Sequence, residues 1–171
     1  VPDIADGYGD LEMPTEDLPL KGRLKTFVLN RDMEVQPGDT IAPATGDLIE
    51  KGKVKAAGIT GTGVVALIDQ GFEAELIRLP RIMTLDAQVH LPNGVTFIEK
   101  DLKEAGKAIG AIRAGHIALC QEAKINLDDI ETAYMCGASG TYVDAIKAQK
   151  VGMIPKGVKR IYQIGNSSLA M

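Results

Sequence analysis

A long helical segment followed by two strand–turn–helix units occupies the carboxy-terminal half of this chain. Helical periodicity runs over residues 99–124, which at about 1.5 Å per residue corresponds to about 39 Å. Apolar runs at residues 130–136 and 160–164 predict two strands, each followed by a glycine-containing turn and another helix. Strands that alternate with helices are covered by those helices, so we predict an α/β fold with buried strands.

One face of the long helix is predicted to pack in the core. Its apolar positions recur at the i, i+3, i+4, i+7 spacing of an amphipathic helix. They are Leu102, Ala105, Ile109, Ile112, His116, Leu119 and Ala123. Because His116 lies inside this stripe, we interpret it as a hydrogen-bonded core histidine rather than a catalytic one.

Small residues also recur on this helix, where each glycine costs up to about 1 kcal/mol relative to alanine. They are Gly106, Gly110, Ala114 and Gly115. Such a run indicates close approach by another backbone, which is the simpler explanation, or by a ligand that occupies a cleft beside the helix.

An acid and a base lie one helical turn apart on a second face of the same helix. Glu104 and Lys107, with the small side chain of Ala111 beside them, fall within about 60° of one another. Geometry alone favours a solvated surface pair worth about 0.5 kcal/mol or less. The alternative is that the two charged groups hold the hydroxyls of a ribose, with Ala111 too small to obstruct it.

The turn Gly137-Ala138-Ser139-Gly140 is the best candidate for a binding site. It follows the predicted strand 130–136 at its carboxyl end, where open α/β sheets bind their ligands. A turn with so little side-chain bulk lets the flat face of a ligand approach the backbone. Ser139 either hydrogen-bonds that ligand or caps the helix predicted over residues 141–151.

A second glycine turn, Gly61-Thr62-Gly63, precedes a helix predicted over residues 64–70 and ended by Gly71. Helix amino termini attract phosphate because their first amides lack intrahelical partners. The G-x-x-G-x-G order of residues 58–63 is wrong for a dinucleotide-binding fingerprint, and the sequence contains no Walker lysine motif. From the residues alone, a plain helix-entry turn is the simplest interpretation.

Shorter elements are predicted in the amino-terminal half. Alternating polar and apolar residues predict a half-buried strand at residues 23–29, and residues 37–39 (Pro-Gly-Asp) predict a loop. Residues 39–54 favour no single element.

Short strands are predicted at residues 82–84, 88–91 and 95–98, with Pro92-Asn93-Gly94 as the turn between the last two. Thr96 and Glu99 fit a capping box for the long helix as well as they fit a strand.

Composition excludes several classes of function. The net charge is −4 and aromatic residues make up 4% of the chain, which argues against a general nucleic-acid binder. No apolar run approaches the roughly 20 residues of a membrane span. Two cysteines, Cys120 and Cys136, and two histidines are too few for a zinc ribbon, an iron–sulfur cluster or a multi-histidine metal site. Without secretory features, a disulfide is not expected.

The first residues differ in character from the rest, because acidic side chains, prolines and glycines crowd them. We predict an acidic, loop-like leader at residues 1–21 and one lobe over residues 22–171. A start at Val1 rather than Met indicates a fragment or a processed chain. The helix predicted after Gly165-Asn166 is cut short where the sequence ends, which gives the same indication.

Several segments, taken in order, resemble the actin-like ATPase superfamily, which includes sugar kinases, heat-shock chaperones and actin. They are residues 58–67 (GITGTGVVAL), 80–82 (PRI), 104–115 (EAGKAIGAIRAG), 134–140 (YMCGASG), 151–155 (VGMIP) and 164–170 (IGNSSLA). Together they are most similar to the carboxy-terminal part of the ATP-dependent reductive activators of corrinoid proteins, especially those that serve the methylamine methyltransferases of methanogens.

This resemblance implies an actin-like, ribonuclease-H-like lobe with a mixed sheet and flanking helices, which is one lobe of the ATPase. It also implies roles for the residues that match the family motifs. The adenosine motif would be Gly137, Ala138, Ser139 and Gly140. Ribose would be held by Glu104 and Lys107, with Ala111 beside the adenine. Connectors at the phosphate cleft would be Gly61, Thr62 and Gly63, and then Gly165 and Asn166.

The activity implied is reduction of cob(II)alamin to cob(I)alamin on the corrinoid protein of a methyltransferase, coupled to binding and hydrolysis of ATP with Mg²⁺. Electrons would pass through iron–sulfur clusters outside this chain. The corrinoid protein is the expected partner, a homodimer is compatible with the sequence, and the cytoplasm is the expected location.

We expect no catalytic residue and no metal ligand in this chain, which alone would be inactive. The family binds phosphate and Mg²⁺ through D-x-G motifs at strand ends, and these should lie upstream. Asp69-Gln70-Gly71 has that pattern but closes a predicted helix and follows no strand.

Two other functions are compatible with the sequence to different degrees. A non-catalytic module that docks the corrinoid protein or dimerises is the main alternative. An acyl or sugar kinase of the same superfamily is disfavoured, because no sugar- or carboxylate-binding motif is visible.

Overall fold

The computed structural model describes residues 4–6, 11–12, 22–30, 32 and 34–165, with only the backbone for residues 4–6, 11–12, 138 and 139. The chain divides into two compact units, residues 1–104 and 105–171. Each unit combines helices and strands, so the predicted α/β class is confirmed. The division into a leader over residues 1–21 and a lobe over residues 22–171 stays a prediction.

An antiparallel sheet begins the first unit. Its strands are β1 (Ile4–Asp6), β2 (Leu11–Glu12), β3 (Arg23–Leu29), β4 (Val35–Ile41) and β5 (Leu48–Glu50). β3 pairs with β1 and β2 and also with β4, which in turn pairs with β5. Leu24, Thr26 and Val28 are buried while their neighbours are more exposed, so the alternation predicted for β3 is confirmed. β1 and β2 lie within the predicted loop-like leader, because β3 offers them a backbone edge to pair with.

The loop predicted at residues 37–39 is wrong, since this stretch lies inside β4. Pairing with β3 overrides the local turn signal, and the register of that pairing shifts opposite this stretch. Such a bulge tolerates Pro37, which has no amide to donate to the ladder. Gly38 is required by close packing, because a Cβ there would lie 2.6 Å from Thr26 Oγ1.

The rest of the first unit packs one helix with two hairpins. These elements are α1 (Gly61–Glu73), β6 (Ile77–Arg78), β7 (Arg81–Ile82), β8 (Gln88–His90) and β9 (Thr96–Ile98). A 3₁₀ turn at Pro92–Gly94 joins β8 and β9, as the sequence predicts. The strand predicted at residues 82–84 is displaced to β7. Burial of Ile68, Leu76 and Phe97 forms part of the core.

Helix α1 continues past the glycine that was expected to end it. Gly71 lies inside α1, where a Cβ would come 2.5 Å from Ile77 Cδ1, so this glycine serves close packing. Asp69 is only 2% exposed in the same helix, and Gln70 donates to its carboxylate at 3.1 Å. The D-x-G stretch is therefore a packed helical segment, and the prediction that it closes the helix is wrong.

The long helix is confirmed as α2 (Glu99–Ala123). It begins directly after β9, which contains Thr96, so this residue is in a strand and no capping box forms. Asp101 instead accepts a hydrogen bond from the Ile98 amide at 3.0 Å through its Oδ2. This carboxylate lies in the first turn of α2, where the helix dipole favours negative charge.

The predicted core face of α2 is only partly correct. Leu102 is 2% exposed, but Leu119 is 70% exposed and Cys120, outside the predicted stripe, is buried. His116 is half-buried. Positions i and i+4 share a helix face as well as i and i+3 do, so the buried side continues from His116 to Cys120.

The second unit contains the remainder of α2 and a two-stranded parallel sheet. Its other elements are β10 (Thr132–Cys136), α3 (Gly137–Tyr142), α4 (Ala145–Lys150) and β11 (Arg160–Gly165). The single helix predicted over residues 141–151 is in fact divided, because Asp144 caps α4. The Asp144 carboxylate accepts from the amides of Ile146 and Lys147, each at 2.9 Å.

One face of this parallel sheet is open. Tyr134 on β10 and Tyr162 on β11 are paired across the strands, and their rings stack with centroids 5.4 Å apart. They are 65% and 47% exposed. Parallel strands are usually covered on both faces, but no residue of β10 or β11 is buried, so the prediction that these strands are buried is wrong. Across the described ranges, no helix has the length and apolar character needed to cross a membrane.

Candidate functional site

Gly137 lies at the carboxyl end of β10, where the sequence predicts the binding turn. The backbone at this residue is left-handed, with φ +86°, and α3 starts here instead of after a separate turn. A Cβ on Gly137 would meet no described atom within 4 Å. The surface above Gly137 is therefore open, and the left-handed conformation explains the glycine.

Two further glycines lie close to Gly137 in the second unit. Gly140 packs against β10, since a Cβ there would lie 3.2 Å from the backbone carbonyl carbon of Met135. Thr141 Oγ1 donates to the Gly137 carbonyl at 3.2 Å, and a Cβ on Gly165 would lie 3.8 Å from that same hydroxyl oxygen. The structure thus brings Gly137, Gly140 and Gly165 together around Thr141, a residue that the sequence analysis missed.

Three of the predicted site residues fall wholly or partly outside the described residues. Asn166 lies outside the described residues, and so do the side chains of Ala138 and Ser139. The two alternatives for the Ser139 hydroxyl, a ligand contact or a helix cap, therefore both stay open.

Helix α2 carries Glu104, Lys107 and Ala111, all of them exposed. No described atom lies within 4 Å of a Cβ placed on Gly106 or Gly110, and the same holds for Gly115. Close packing against the described part of the chain therefore does not explain these glycines, contrary to the simpler expectation. That Glu104 and Lys107 face the Gly137 turn stays a prediction.

The predicted phosphate connector belongs to the first unit. Gly61, Thr62 and Gly63 form the first turn of α1, which confirms a helix-entry turn. Thr60, which the sequence analysis did not single out, is the cap: its Oγ1 accepts from the Gly63 amide at 2.9 Å and lies 2.8 Å from Thr62 Oγ1. Threonine before a glycine-rich helix start was the available signal. One of the first-turn amides is thus already bonded.

A polar cluster formed by Asp86, just before β8, and two residues of β8 was also missed. Asp86 Oδ2 accepts from Gln88 Nε2 at 2.7 Å and lies 2.8 Å from His90 Nε2. The hydrogen bond from Gln88, followed by the one with His90, lowers the pKa of Asp86 from 3.8 to about 2. His90 of β8 lies beside Gly46, where a Cβ would lie 3.2 Å from the His90 Cβ.

The stability that Asp86 contributes is expected to depend on acid pH. Because its pKa is lowered on folding, the contribution is complete above pH 3.8 and is lost as the pH falls towards about 2. Asp86→Asn should therefore flatten the fall of the melting temperature over this interval. Thermal melts of the wild type and the variant between these pH values test this. An equal fall of the melting temperature in both proteins would contradict it.

The donor set of this chain does not fit an iron–sulfur cluster. Cys120 is buried and Cys136 exposed, and both are free thiols, whereas a cluster requires about four ligands. Within the described ranges, no three or more His, Cys, Asp or Glu side chains are grouped so that they could hold a metal ion.

Comparison with known proteins agrees with the resemblance. Residues 31–171 match a family described as the C-terminal domain of RACo, the ASKHA domain. The chain is also 43% identical over 148 residues to a Methanosarcina barkeri protein named Co(II) methylated amine-specific corrinoid protein reductase. That alignment covers 86% of this chain and 27% of the length of the relative. No solved structure matches significantly. The predicted actin-like fold class and the predicted resemblance to corrinoid-protein activators are both confirmed.

Proposed function

Because the chain belongs to the family of carboxy-terminal ASKHA domains of RACo, we propose that it supplies the adenosine side of an ATP-binding cleft. The observation that carries this proposal is the open surface over Gly137 at the carboxyl end of β10. A positive φ and a missing side chain let the flat face of adenine approach the backbone. Ligands of open α/β sheets bind at this end of the strands.

In this proposal α2 holds the ribose. The Glu104 carboxylate accepts from one ribose hydroxyl, the Lys107 ammonium donates to the other, and Ala111 leaves room for the base. An exposed ion pair contributes little by itself, but charge-assisted hydrogen bonds to a bound ligand are stronger. No described atom lies within 4 Å of a Cβ placed on Gly110, so a ligand could approach the helix backbone there.

In this proposal Gly61-Thr62-Gly63 of the first unit and Gly165-Asn166 of the second keep the role of phosphate connectors that the resemblance implies. Since the Gly63 amide already donates to Thr60 Oγ1, a phosphate would use the remaining amides of that turn. We assign no catalytic residue to this chain. Binding of Mg²⁺ and cleavage of ATP are assigned to other parts of the protein.

We further propose that the whole protein couples ATP hydrolysis to reduction of cob(II)alamin to cob(I)alamin on the corrinoid protein of a methyltransferase. The name of the M. barkeri relative, a reductase of a Co(II) corrinoid protein specific for methylated amines, supports this reaction and this partner. The electron would come from a cluster outside this chain, because its two thiols do not suffice. A cytoplasmic location and a homodimer remain compatible with this proposal.

Removing the ribose contact or blocking the adenine face should weaken ATP binding. We expect Lys107→Ala and Ser139→Trp each to raise the Kd for ATP about tenfold or more in the whole protein. Isothermal titration calorimetry measures this directly. Lys156→Ala, which removes an exposed positive charge from the loop before β11, serves as the control and should bind ATP normally. Unchanged affinity in both site variants would refute the site assignment.

The open aromatic face of β10 and β11 favours a second candidate function, a module that docks the corrinoid protein without nucleotide. Stacked, exposed tyrosines such as Tyr134 and Tyr162 are typical of protein interfaces. If the corrinoid protein binds this domain equally well with and without ATP, that result would favour the docking function over the first proposal.

A further inference from the structure

Gln163 on β11 joins the strand to the helix that begins at Gly137. Its Nε2 donates to the Gly140 carbonyl at 3.0 Å and to the Val143 carbonyl at 2.8 Å. Gly140 lies in the last turn of α3, where carbonyl groups have no partner within the helix, and Val143 directly follows the helix. The two hydrogens of one side-chain amide therefore satisfy two carbonyls that the helix leaves free.

The position of α3 depends on contacts with both strands. On the β10 side, Gly140 lies against the backbone of Met135, where a Cβ would make a contact tighter than an ordinary van der Waals contact. On the β11 side, the register pairs Gln163 with Met135, so the amide reaches α3 from the neighbouring strand. Together these contacts hold α3 against the sheet, and Gly137 is the first residue of that helix.

We propose that Gln163 is a positioning residue that holds the Gly137 turn in place for adenine. This inference rests on the proposed ATP-binding function. α3 has only six residues, so a pair of hydrogen bonds at its carboxyl end acts on the whole helix. Loss of the amide would let α3 shift and would cost affinity by disordering the surface on which the base lies.

Gln149 provides a matched control in the same unit. Its Nε2 donates to the carbonyls of Pro155 at 3.1 Å and Val158 at 2.8 Å, and so it fixes the loop before β11 and not the Gly137 turn. Gln149 is also less exposed than Gln163. Its loss should lower stability at least as much. If ATP affinity merely followed stability, the Gln149 variant would be the weaker binder.

The test measures ATP binding to the whole protein by calorimetry, with thermal melts of each variant. We expect Gln163→Met to raise the Kd about tenfold, and Gln149→Met to change it by about twofold or less. Gln163→Lys keeps a donor of similar reach and should restore most of the affinity. Gln163→Glu, which has nearly the same shape but cannot donate, replaces Gln163→Met if that variant does not fold.

Wild-type affinity in Gln163→Met, or an equal loss in Gln149→Met, would overturn the positioning role. If the wild-type protein does not bind ATP, the proposed function fails and this inference fails with it. If Lys107→Ala weakens binding and Gln163→Met does not, the nucleotide site stands and only the role of Gln163 is refuted.

Discussion

A single methyl group at Gly52 is expected to lower the free energy of unfolding by about 3 kcal/mol or more. A Cβ at this position would overlap the backbone carbonyl of Gly38 in β4. The backbone cannot easily move away, because the Gly52 amide donates to Asp39 Oδ1 at 2.8 Å and the Lys53 amide donates to the Pro37 carbonyl at 2.9 Å. Gly52→Ala must therefore break these bonds or distort β4.

Equilibrium unfolding in denaturant measures this effect, with Gly58→Ala as the control. No described atom lies within 4 Å of a Cβ on Gly58, so that variant should stay within about 0.5 kcal/mol of the wild type. Similar unfolding midpoints for Gly52→Ala and Gly58→Ala would show that the two chain segments are not packed as described.

Added bulk at Ala111 is expected to block ATP binding without affecting folding. Ala111 is exposed on α2, and leucine is a good helix former, so Ala111→Leu should change the free energy of unfolding by about 0.5 kcal/mol or less. In the proposed site the larger side chain would occupy the space of the adenine. We therefore expect the Kd for ATP to rise about tenfold to a hundredfold.

The control for this variant is Ala118→Leu, which places the same side chain about 10 Å further along the helix. Ala118 is also exposed, so this variant should fold and bind ATP like the wild type. Calorimetric titration of both variants with ATP compares their Kd values. Normal ATP binding by Ala111→Leu would mean that no adenine lies against this face of α2.

Some elements could be predicted because their patterns are local. The polar–apolar alternation of β3 and the long periodic segment of α2 each repeat over enough residues to identify one element. The position of Gly137 at a strand end was also readable, since an apolar strand directly precedes the glycine. These predictions needed no knowledge of which other segments lie nearby.

Other predictions failed where distant contacts decide the structure. Pro37 and Gly38 have turn chemistry but lie in β4, because pairing with β3 outweighs local preference. Gly71 was expected to end α1 but is present because Ile77 packs against it. The roles of Thr141 and Gln163 were missed for the same reason, since their partners become neighbours only after folding.

Periodicity and local chemistry by themselves determined the α/β class, the long helix and the glycine at the end of β10, while the family was identified separately, from the resemblance of several sequence segments. Tertiary structure alone decided which glycines are crowded and which are open: Gly52 and Gly71 face other parts of the chain, while Gly110 and Gly137 face open space. The physical reason is that periodicity reflects backbone geometry within one element. The space around a residue depends instead on segments that are distant in sequence.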